Sequence, residues 1–164
     1  MKRRSIAATL GIAAVAAAGL FAWQSYSGKA AADDMQAAID ARVALMKDNG
    51  AKMKAMGAVV EAKSGDLNQM AEVATGLQAN AQKIADLFPK GTSLTDMPGK
   101  SWAKPEIWAN FDDFKAAAAE LATEAGKLAD AAKSGNMDAF AAQYDVTGEK
   151  GCGGCHTKFR QKKS

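Results

Sequence analysis

Apolar positions recur along most of the chain with the period of an α-helix. Between residues 33 and 63, four apolar side chains are spaced seven residues apart and form one stripe: Ile39, Met46, Met53 and Val60. Comparable stripes cover residues 66–88, residues 105–133, and residue 136 to beyond residue 156. Such a period is typical of amphipathic helices, and no run of alternating β-branched residues indicates a strand. The pattern therefore predicts an all-α fold with four helices.

Two nearly identical tetrapeptides separate the predicted helices in pairs. Residues 63–66 read Lys-Ser-Gly-Asp, and residues 133–136 read Lys-Ser-Gly-Asn. Glycine suits the left-handed C-cap of one helix, and Asp or Asn suits the N-cap of the next. The connection between the two pairs is longer and covers residues 89–104. Short, long and short connections predict an antiparallel, up-and-down four-helix bundle.

The start of the chain has the composition of a leader. A basic tetrapeptide precedes an apolar run at residues 6–21 and three alanines at residues 30–32. This order is typical of a secretory signal peptide, although the run is close to the ~20 residues of a membrane anchor. We expect a signal peptide at residues 1–32 and a folded domain at residues 33–164, located in the periplasm. The membrane is a partner only if the leader is not cleaved.

Removing this leader reverses the sign of the charge. The whole chain has 21 Lys and Arg against 18 Asp and Glu, a formal net charge of +3. Four of the cations and none of the anions lie in residues 1–32, which leaves 17 cations against 18 anions and a formal charge of −1. Nucleic-acid binding depends on positive charge, so we exclude nucleic acid as a partner.

One short motif carries the chemistry. Cys152, Cys155 and His156 form Cys-x-x-Cys-His, the attachment signature of c-type haem. Two thiols at this spacing reach the vinyl groups on one edge of the porphyrin, and the adjacent imidazole reaches the iron. A redox dithiol is expected in a βαβ context, and a structural zinc site needs four ligands, whereas this chain has two Cys and one His. The motif predicts one haem c, bound covalently through two thioethers, with His156 on the iron.

The late position of the motif resembles that in the class II c-type cytochromes, the cytochrome c′ family. Further segments are similar to that family: Arg42 with Leu45-Met46-Lys47, Leu87-Phe88-Pro89 with Gly91-Thr92, Pro105-Glu106-Ile107-Trp108, and Phe159-Arg160. The resemblance implies an antiparallel four-helix bundle with the haem inside one end, near the C-terminal end of helix four. It also suggests a homodimer, for which helices one and two are the candidate interface.

The second axial position of the iron decides the function. In the family, the residue one turn after the helix-one arginine faces the distal side of the haem, and here that residue is Met46. A thioether ligand suits electron transfer, whereas a residue that does not bind leaves the iron open to nitric oxide or carbon monoxide. Residues 45–50 resemble the methionine-ligated branch, and residues 88–114 resemble cytochrome c′. Met35 is the other methionine at a suitable height in the bundle.

Two arginines are expected beside the haem. The predicted domain has 15 lysines but only two arginines, Arg42 and Arg160. Arg42 lies one turn before Met46, and Arg160 lies one turn after His156, so antiparallel helices place both at the same end. We expect them to pair with the haem propionates, because arginine binds carboxylates in planar geometry. The alternative is that both are ordinary surface cations.

The sequence as a whole predicts a periplasmic electron carrier with one haem, ligated by His156 and Met46, that exchanges electrons with periplasmic redox partners. A five-coordinate cytochrome c′ that binds nitric oxide or carbon monoxide is the alternative. A peroxidase-like enzyme would need distal acid–base groups, and the chain has no second histidine. We therefore do not expect an enzyme.

Overall fold

A computed structural model of the chain describes the backbone of residues 17–162 and the side chains of residues 31–162. The chain divides into two compact units, Met1–Asp34 and Met35–Ser164. The first 16 residues of the predicted signal peptide lie outside the described residues, so the leader stays a prediction. No helix within the described part is long and apolar enough to cross a membrane.

The described backbone is mostly helical. The α-helices are α1 (Ala17–Ala62), α2 (Leu67–Ala81), α3 (Glu106–Ala109), α4 (Phe111–Lys133), α5 (Met137–Val146) and α6 (Gly154–Phe159). A 3₁₀ turn at Ala85–Leu87 follows α2, and a π-helical turn at Thr147–Gly153 joins α5 to α6. Three long helices, α1, α2 and α4, and the composite last helix form the four-helix bundle that the sequence predicts.

The predicted helices differ from the structure at three boundaries. α1 is already helical at Ala17, before residue 33, because alanine-rich sequence on both sides of that residue favours helix. α2 ends at Ala81, and a 3₁₀ turn follows that stops before Phe88, because a residue that precedes a proline disfavours helix. Asn110 interrupts the predicted third helix with backbone angles of φ −132° and ψ 55°.

Both tight turns have the predicted N-caps, but only the second has the predicted left-handed glycine. The Asp66 side chain accepts hydrogen bonds from two backbone N–H groups of α2, at 2.9 and 3.2 Å. The Asn136 side chain accepts one from α5, at 3.0 Å. Gly135 takes the left-handed conformation with a φ of 69°, whereas in the first turn Lys63 takes it, with a φ of 50°. These caps end one helix and start the next within four residues.

Two apolar clusters fill the bundle. The first joins the second half of α1 to α2, α4 and α5, and its largest fully buried members are Met56, Leu77, Leu128 and Phe140. The second surrounds the C-terminal motif, and its largest members are Ile84, Ile107, Phe114, Leu121 and Phe159. Met46 and both cysteines pack against this second cluster. The second cluster therefore marks the end of the bundle that carries the chemistry.

The long connection between α2 and α3 is folded onto this end. Within it, the backbone N–H of Leu94 donates to the carbonyl oxygen of Ala103 at 2.7 Å. The chain after α6 pairs with the connection through two backbone hydrogen bonds: Lys104 N to Phe159 O at 3.0 Å, and Gln161 N to Trp102 O at 2.8 Å. We call this antiparallel pairing of residues 102–104 with residues 159–161 the C-terminal ladder.

Candidate haem site

The Cys-x-x-Cys-His motif lies where the π-helical turn becomes α6. Cys152 belongs to the π-helical turn, and Cys155 and His156 belong to the first turn of α6. Residues three and four positions apart on a helix share one face, so the two thiols and the imidazole point the same way. All three side chains are half-buried, and the two cysteines form no disulfide. The helix therefore presents three groups to one neighbouring space.

Burial changes the protonation equilibria of the motif. It raises the pKa of the Cys155 thiol to about 11, with a smaller contribution from Cys152. Burial also raises the pKa of the Cys152 thiol. The pKa of the His156 imidazole is lowered, first by burial and then by the positive charge of Arg160. Before a haem is attached, the motif at neutral pH thus holds two neutral thiols and a neutral imidazole, the form of histidine that binds metals.

Close packing holds the π-helical turn against α4. A Cβ atom placed on Gly151 would lie 2.8 Å from Leu121 Cδ1 and 3.3 Å from the backbone Cα of Leu121. The Thr147 hydroxyl, which is fully buried, donates to Gln143 O at 2.8 Å and lies 3.2 Å from Glu124 O. Only glycine permits so close an approach at position 151. The attachment segment is thereby fixed relative to α4.

Glu124 is a buried carboxylate beside this turn. Its side chain is 4% exposed, and it accepts hydrogen bonds from Lys127 Nζ at 2.7 Å and Gln143 Nε2 at 2.6 Å. These two donors, Lys127 first, lower the pKa of the Glu124 carboxyl group. The ionised carboxylate links α4 to α5 immediately before the π-helical turn.

Two cavities adjoin the motif. The larger has a volume of about 680 Å³ and lies among α1, the long connection and the C-terminal ladder. The smaller, of about 270 Å³, lies among α1, α4 and the π-helical turn. Three side chains line both cavities: Met46, Cys155 and His156. Cys152 lines the smaller one.

The walls and the donor set of these cavities fit a haem. Apolar side chains form most of the walls: Ile39, Ile107, Phe114 and Phe159 in the larger cavity, and Ile84, Ala118 and Leu121 in the smaller. Sites that bury organic ligands commonly measure about 300–1,000 Å³ and combine such walls with a few convergent polar groups. Here the convergent groups are both thiols and the only histidine of the chain. The residues present therefore suit a covalently attached haem.

Arg42 is buried in the wall of the larger cavity, with 5% of its surface exposed. Its Nη1 donates to Thr92 Oγ1 at 2.8 Å, and its Nη2 donates to Thr92 O at 2.6 Å and Ser101 Oγ at 2.7 Å. The guanidinium also lies 4.6 Å from the ring centroid of Phe88. Burial lowers the pKa of Arg42 to about 10, so it stays charged at neutral pH. Arg42 thus fastens the long connection to α1.

Of the two remaining predicted residues, Arg160 lines the larger cavity and Met35 does not. Arg160 is exposed, lines the larger cavity and lies within the C-terminal ladder. Met35 lies against the connection instead, with its sulfur 3.1 Å from where a Cβ of Gly91 would be. The structure therefore brings Arg42, Met46 and Arg160 together with the motif and leaves Met35 outside that group. Their roles towards a haem stay predictions.

Comparison with known proteins decides the family. The sequence profile of cytochrome c′ matches residues 37–160. The chain belongs to the cytochrome c′ family. It is 32% identical over 126 residues to the cytochrome c-556 of Agrobacterium tumefaciens strain II Chrys, covering 76% of this chain and 98% of that protein. It is 31% identical over 126 residues to the cytochrome c′ of Pararhodospirillum photometricum, covering 77% and 98%.

A solved structure gives the same result for the fold. A cytochrome c′ with an unusual ligand-controlled dimer dissociation superposes on this chain with a TM-score of 0.69 and 27% identity, covering 78% of this chain and 97% of that one. The predicted family, the four-helix bundle and one covalently bound haem c are confirmed. The cytochrome c-556 and cytochrome c′ relatives are almost equally similar, so identity does not decide between the two branches.

Several polar residues of this cytochrome site were not predicted: Asn49, Thr92, Ser101, Glu124 and Thr147. The sequence could have indicated Asn49, because this residue follows Met46 by three positions and so lies on the same face of the helix. Nothing in the sequence could indicate Thr92 and Ser101 as partners of Arg42, since these residues are 50 and 59 positions away from it. Glu124 resembles any charged residue of a solvated helix until its burial is known.

Proposed function

We propose that this protein is a periplasmic electron carrier in which His156 and Met46 are the axial ligands of the haem iron. The observation that carries the proposal is that Met46 and His156 line the same two cavities, together with Cys155. With a Met thioether and a His imidazole as its ligands, the haem would be a closed centre with a raised potential. The haem supplies a one-electron couple, and the chain supplies its attachment, its ligands and its surroundings.

Each residue of the site has a separate task in this proposal. Cys152 and Cys155 would hold the haem through two thioethers, and His156, neutral at pH 7, would offer a ring nitrogen to the iron. Arg42 and Arg160 lie where the larger cavity meets the connection and the C-terminal ladder. We assign them to the propionates, with Arg42 also fastening the connection. Because the chain has one histidine and that histidine is the proposed ligand, we propose no enzymatic role.

The periplasmic assignment rests on two features. The leader-like composition of residues 1–32 favours export, and covalent haem attachment of the c type takes place outside the bacterial cytoplasm. The electron-transfer partners would then be other periplasmic redox proteins.

A homodimer through α1 and α2 is also proposed, since a cytochrome c′ of similar structure dissociates from a dimer under ligand control. Sedimentation velocity of the holoprotein tests it, and a concentration-independent monomer would contradict it.

A gas-binding protein is the second candidate. Cytochrome c′ is as similar to this chain as cytochrome c-556 is, and the half-buried Met46 has a flexible, unbranched side chain. A Met46 that packs beside the iron without bonding to it would leave a site for nitric oxide or carbon monoxide. In that case the residue acts as a lid.

The visible absorption spectrum of the holoprotein separates the two candidates. With Met46 ligation we expect sharp low-spin bands, a weak far-red band in the ferric state and no response of the ferrous state to carbon monoxide. Met46→Leu should then turn the spectrum high-spin and make it respond to carbon monoxide. Broad high-spin bands in the parent protein, unchanged in Met46→Leu, would contradict the proposed ligation and favour gas binding.

A further inference from the structure

Asn49 holds an unpaired hydrogen-bond donor beside the proposed haem. It lies three residues after Met46 on α1, is 6% exposed, and lines the smaller cavity with Met46, Cys152 and His156. Within the described part of the chain, no acceptor lies in hydrogen-bonding reach of Asn49 Nδ2. Buried donors are nearly always paired in native proteins, so this one calls for an acceptor.

The hydrogen bonds of Asn80 determine which end of the Asn49 side-chain amide, the oxygen or the NH₂ group, has no partner. Asn80 Nδ2 donates to Asp48 Oδ2 at 2.6 Å and to Asn49 Oδ1 at 2.8 Å. Asp48 is ionised, because a hydrogen bond from Lys52 and then one from Asn80 lower its pKa. A carboxylate only accepts, so Asn80 must present its NH₂ group, and Asn49 must present its oxygen to Asn80. The NH₂ group of Asn49 is therefore the free end.

The cavity around Asn49 strengthens the effect of such a donor. Apart from Asn49 and His156, the residues that line it are methionine, isoleucine, leucine, alanine, glycine and cysteine. In such weakly polar surroundings a hydrogen bond is electrostatically stronger than in water. Asn49 follows Met46 by nearly one helical turn, so the two side chains share one face of α1. The donor thus lies on the same side of His156 as Met46.

We propose that Asn49 is the distal hydrogen-bond donor of this cytochrome, its Nδ2 donating to the acceptor atom that occupies the position beside Met46. The acceptor is the Met46 sulfur if that sulfur binds the iron, or the outer atom of a small diatomic ligand if it does not. Either acceptor loses electron density to the donor, which favours the ferrous state. This inference rests on the proposed distal placement of Met46, and not on whether Met46 bonds to the iron.

The first test is the midpoint potential of the holoprotein. Asn49→Leu should lower the potential, because the donor is removed while the cavity stays filled. Asn68→Leu is the matched control, since Asn68 is exposed on α2, and its potential should equal that of the parent. Asn80→Leu leaves Asn49 in place but frees its amide, and should lower the potential by a smaller amount. This second variant keeps the test decisive if Asn49→Leu does not fold.

The second test uses infrared spectroscopy of bound carbon monoxide. In a Met46→Ala background the sixth position is open whichever function is correct, so carbon monoxide can report on the donor. Adding Asn49→Leu should raise the C–O stretching frequency if Asn49 donates to the ligand. A lowered potential shows that Asn49 donates to the Met46 sulfur of the parent protein, and a raised frequency shows that its amide reaches a diatomic ligand when that sulfur is absent. If neither the potential nor the frequency responds to Asn49→Leu, the proposal is wrong.

Discussion

At the scale of single residues, Arg42 shows how one side chain can serve both the fold and the cofactor site. Its two terminal nitrogens make three hydrogen bonds to the long connection, while the same side chain lines the larger cavity. The guanidinium geometry allows this because it presents several donors in one plane. The connection is consequently held in place by a residue of α1, far away in sequence.

Replacing Arg42 by lysine should lower the stability of the fold. Arg42→Lys keeps the charge but offers a single nitrogen, which cannot reach both Thr92 and Ser101 in the same geometry. We expect a loss of unfolding free energy on the order of 2 kcal/mol, the range for hydrogen bonds to charged groups. Chemical denaturation of the holoprotein measures it. Arg160→Lys, at an exposed site, is the control and should cost little; equal losses would refute the interpretation.

Glu124 gives a prediction about acid stability. The pKa of its carboxyl group is lower in the folded protein than its ordinary value of 4.5. As the pH falls below that value, the unfolded chain binds a proton before the folded one does, so the stabilisation is lost with decreasing pH. Glu124→Gln should be less stable than the parent at neutral pH, and the difference should shrink below about pH 4.5. Thermal unfolding across this pH range measures the difference.

The control for the acid experiment is Glu120→Gln, one turn earlier on α4, where the side chain is exposed. Its stability should follow that of the parent at every pH. A difference between Glu124→Gln and the parent that stays constant down to the acid limit of folding would show that the ionisation of Glu124 does not stabilise the fold.

At the scale of secondary-structure elements, the π-helical turn is the feature that places the attachment segment. Its wider winding lets the backbone at Gly151 rest on α4 at Leu121, and α6 then continues with Cys155 and His156 in ordinary α-helical geometry. π-helical turns are rare and are found frequently at functional sites. In this protein the turn carries the first of the two cysteines.

Two glycine substitutions should distinguish packing from helix propensity in this segment. Gly151→Ala forces a methyl group against Leu121 and should cost about 1–3 kcal/mol of unfolding free energy, the usual cost of overpacking. Gly154→Ala adds a methyl group where nothing lies within 4 Å, and should stabilise the helix by up to about 1 kcal/mol. Denaturation of the two holoproteins and their yield of covalent haem test this. A neutral Gly151→Ala would contradict the close packing.

The helices themselves could be predicted from the sequence because their signals are local. Apolar residues at helical spacing and the two capped tight turns gave the number of helices and their order. The break at Asn110 and the π-helical turn could not be predicted, because both depend on contacts between elements. Gly151, for example, indicates a close approach but not that Leu121 is the residue approached.

The residues of the candidate site likewise divide into those that the local sequence predicts and those that depend on distant contacts. Cys152, Cys155 and His156 were predictable from a motif within five residues, and Met46 was singled out through a family resemblance. Asn49 was missed because its importance depends on the orientation of its amide. That orientation is set by Asn80, which is 31 positions away in the chain.

At the scale of the whole molecule, charge is distributed unevenly around the larger cavity. Four of its lining residues are exposed cations, namely Lys47, Lys100, Arg160 and Lys162, and its lining includes no acidic side chain. The predicted mature domain is nevertheless close to neutral overall. A basic rim on a nearly neutral protein should orient an acidic partner towards the haem without attracting it elsewhere.

This charge distribution predicts a salt-dependent reaction. Electron transfer to an acidic redox protein should slow with rising ionic strength, because the Debye length shrinks to about 8 Å at 0.15 M salt. Lys100→Glu should slow the reaction at low salt by about tenfold or more and flatten its salt dependence. Stopped-flow kinetics measure both. The control is Lys133→Glu, because Lys133 lies at the C-terminal end of α4, whereas Phe114, which lines the cavity, lies near the N-terminal end of that helix. An equal effect of Lys133→Glu would show that net charge alone is responsible.

The C-terminal ladder has a consequence for the order in which the protein is assembled. Residues 159–161 are synthesised after the whole bundle and directly after the two cysteines, yet they pair with residues 102–104, which precede α4. Until that pairing forms, one wall of the larger cavity, which Cys155 also lines, is incomplete. We therefore expect the cofactor to be attached before the C-terminal ladder closes. The joining of two three-residue segments would then be a late step of maturation.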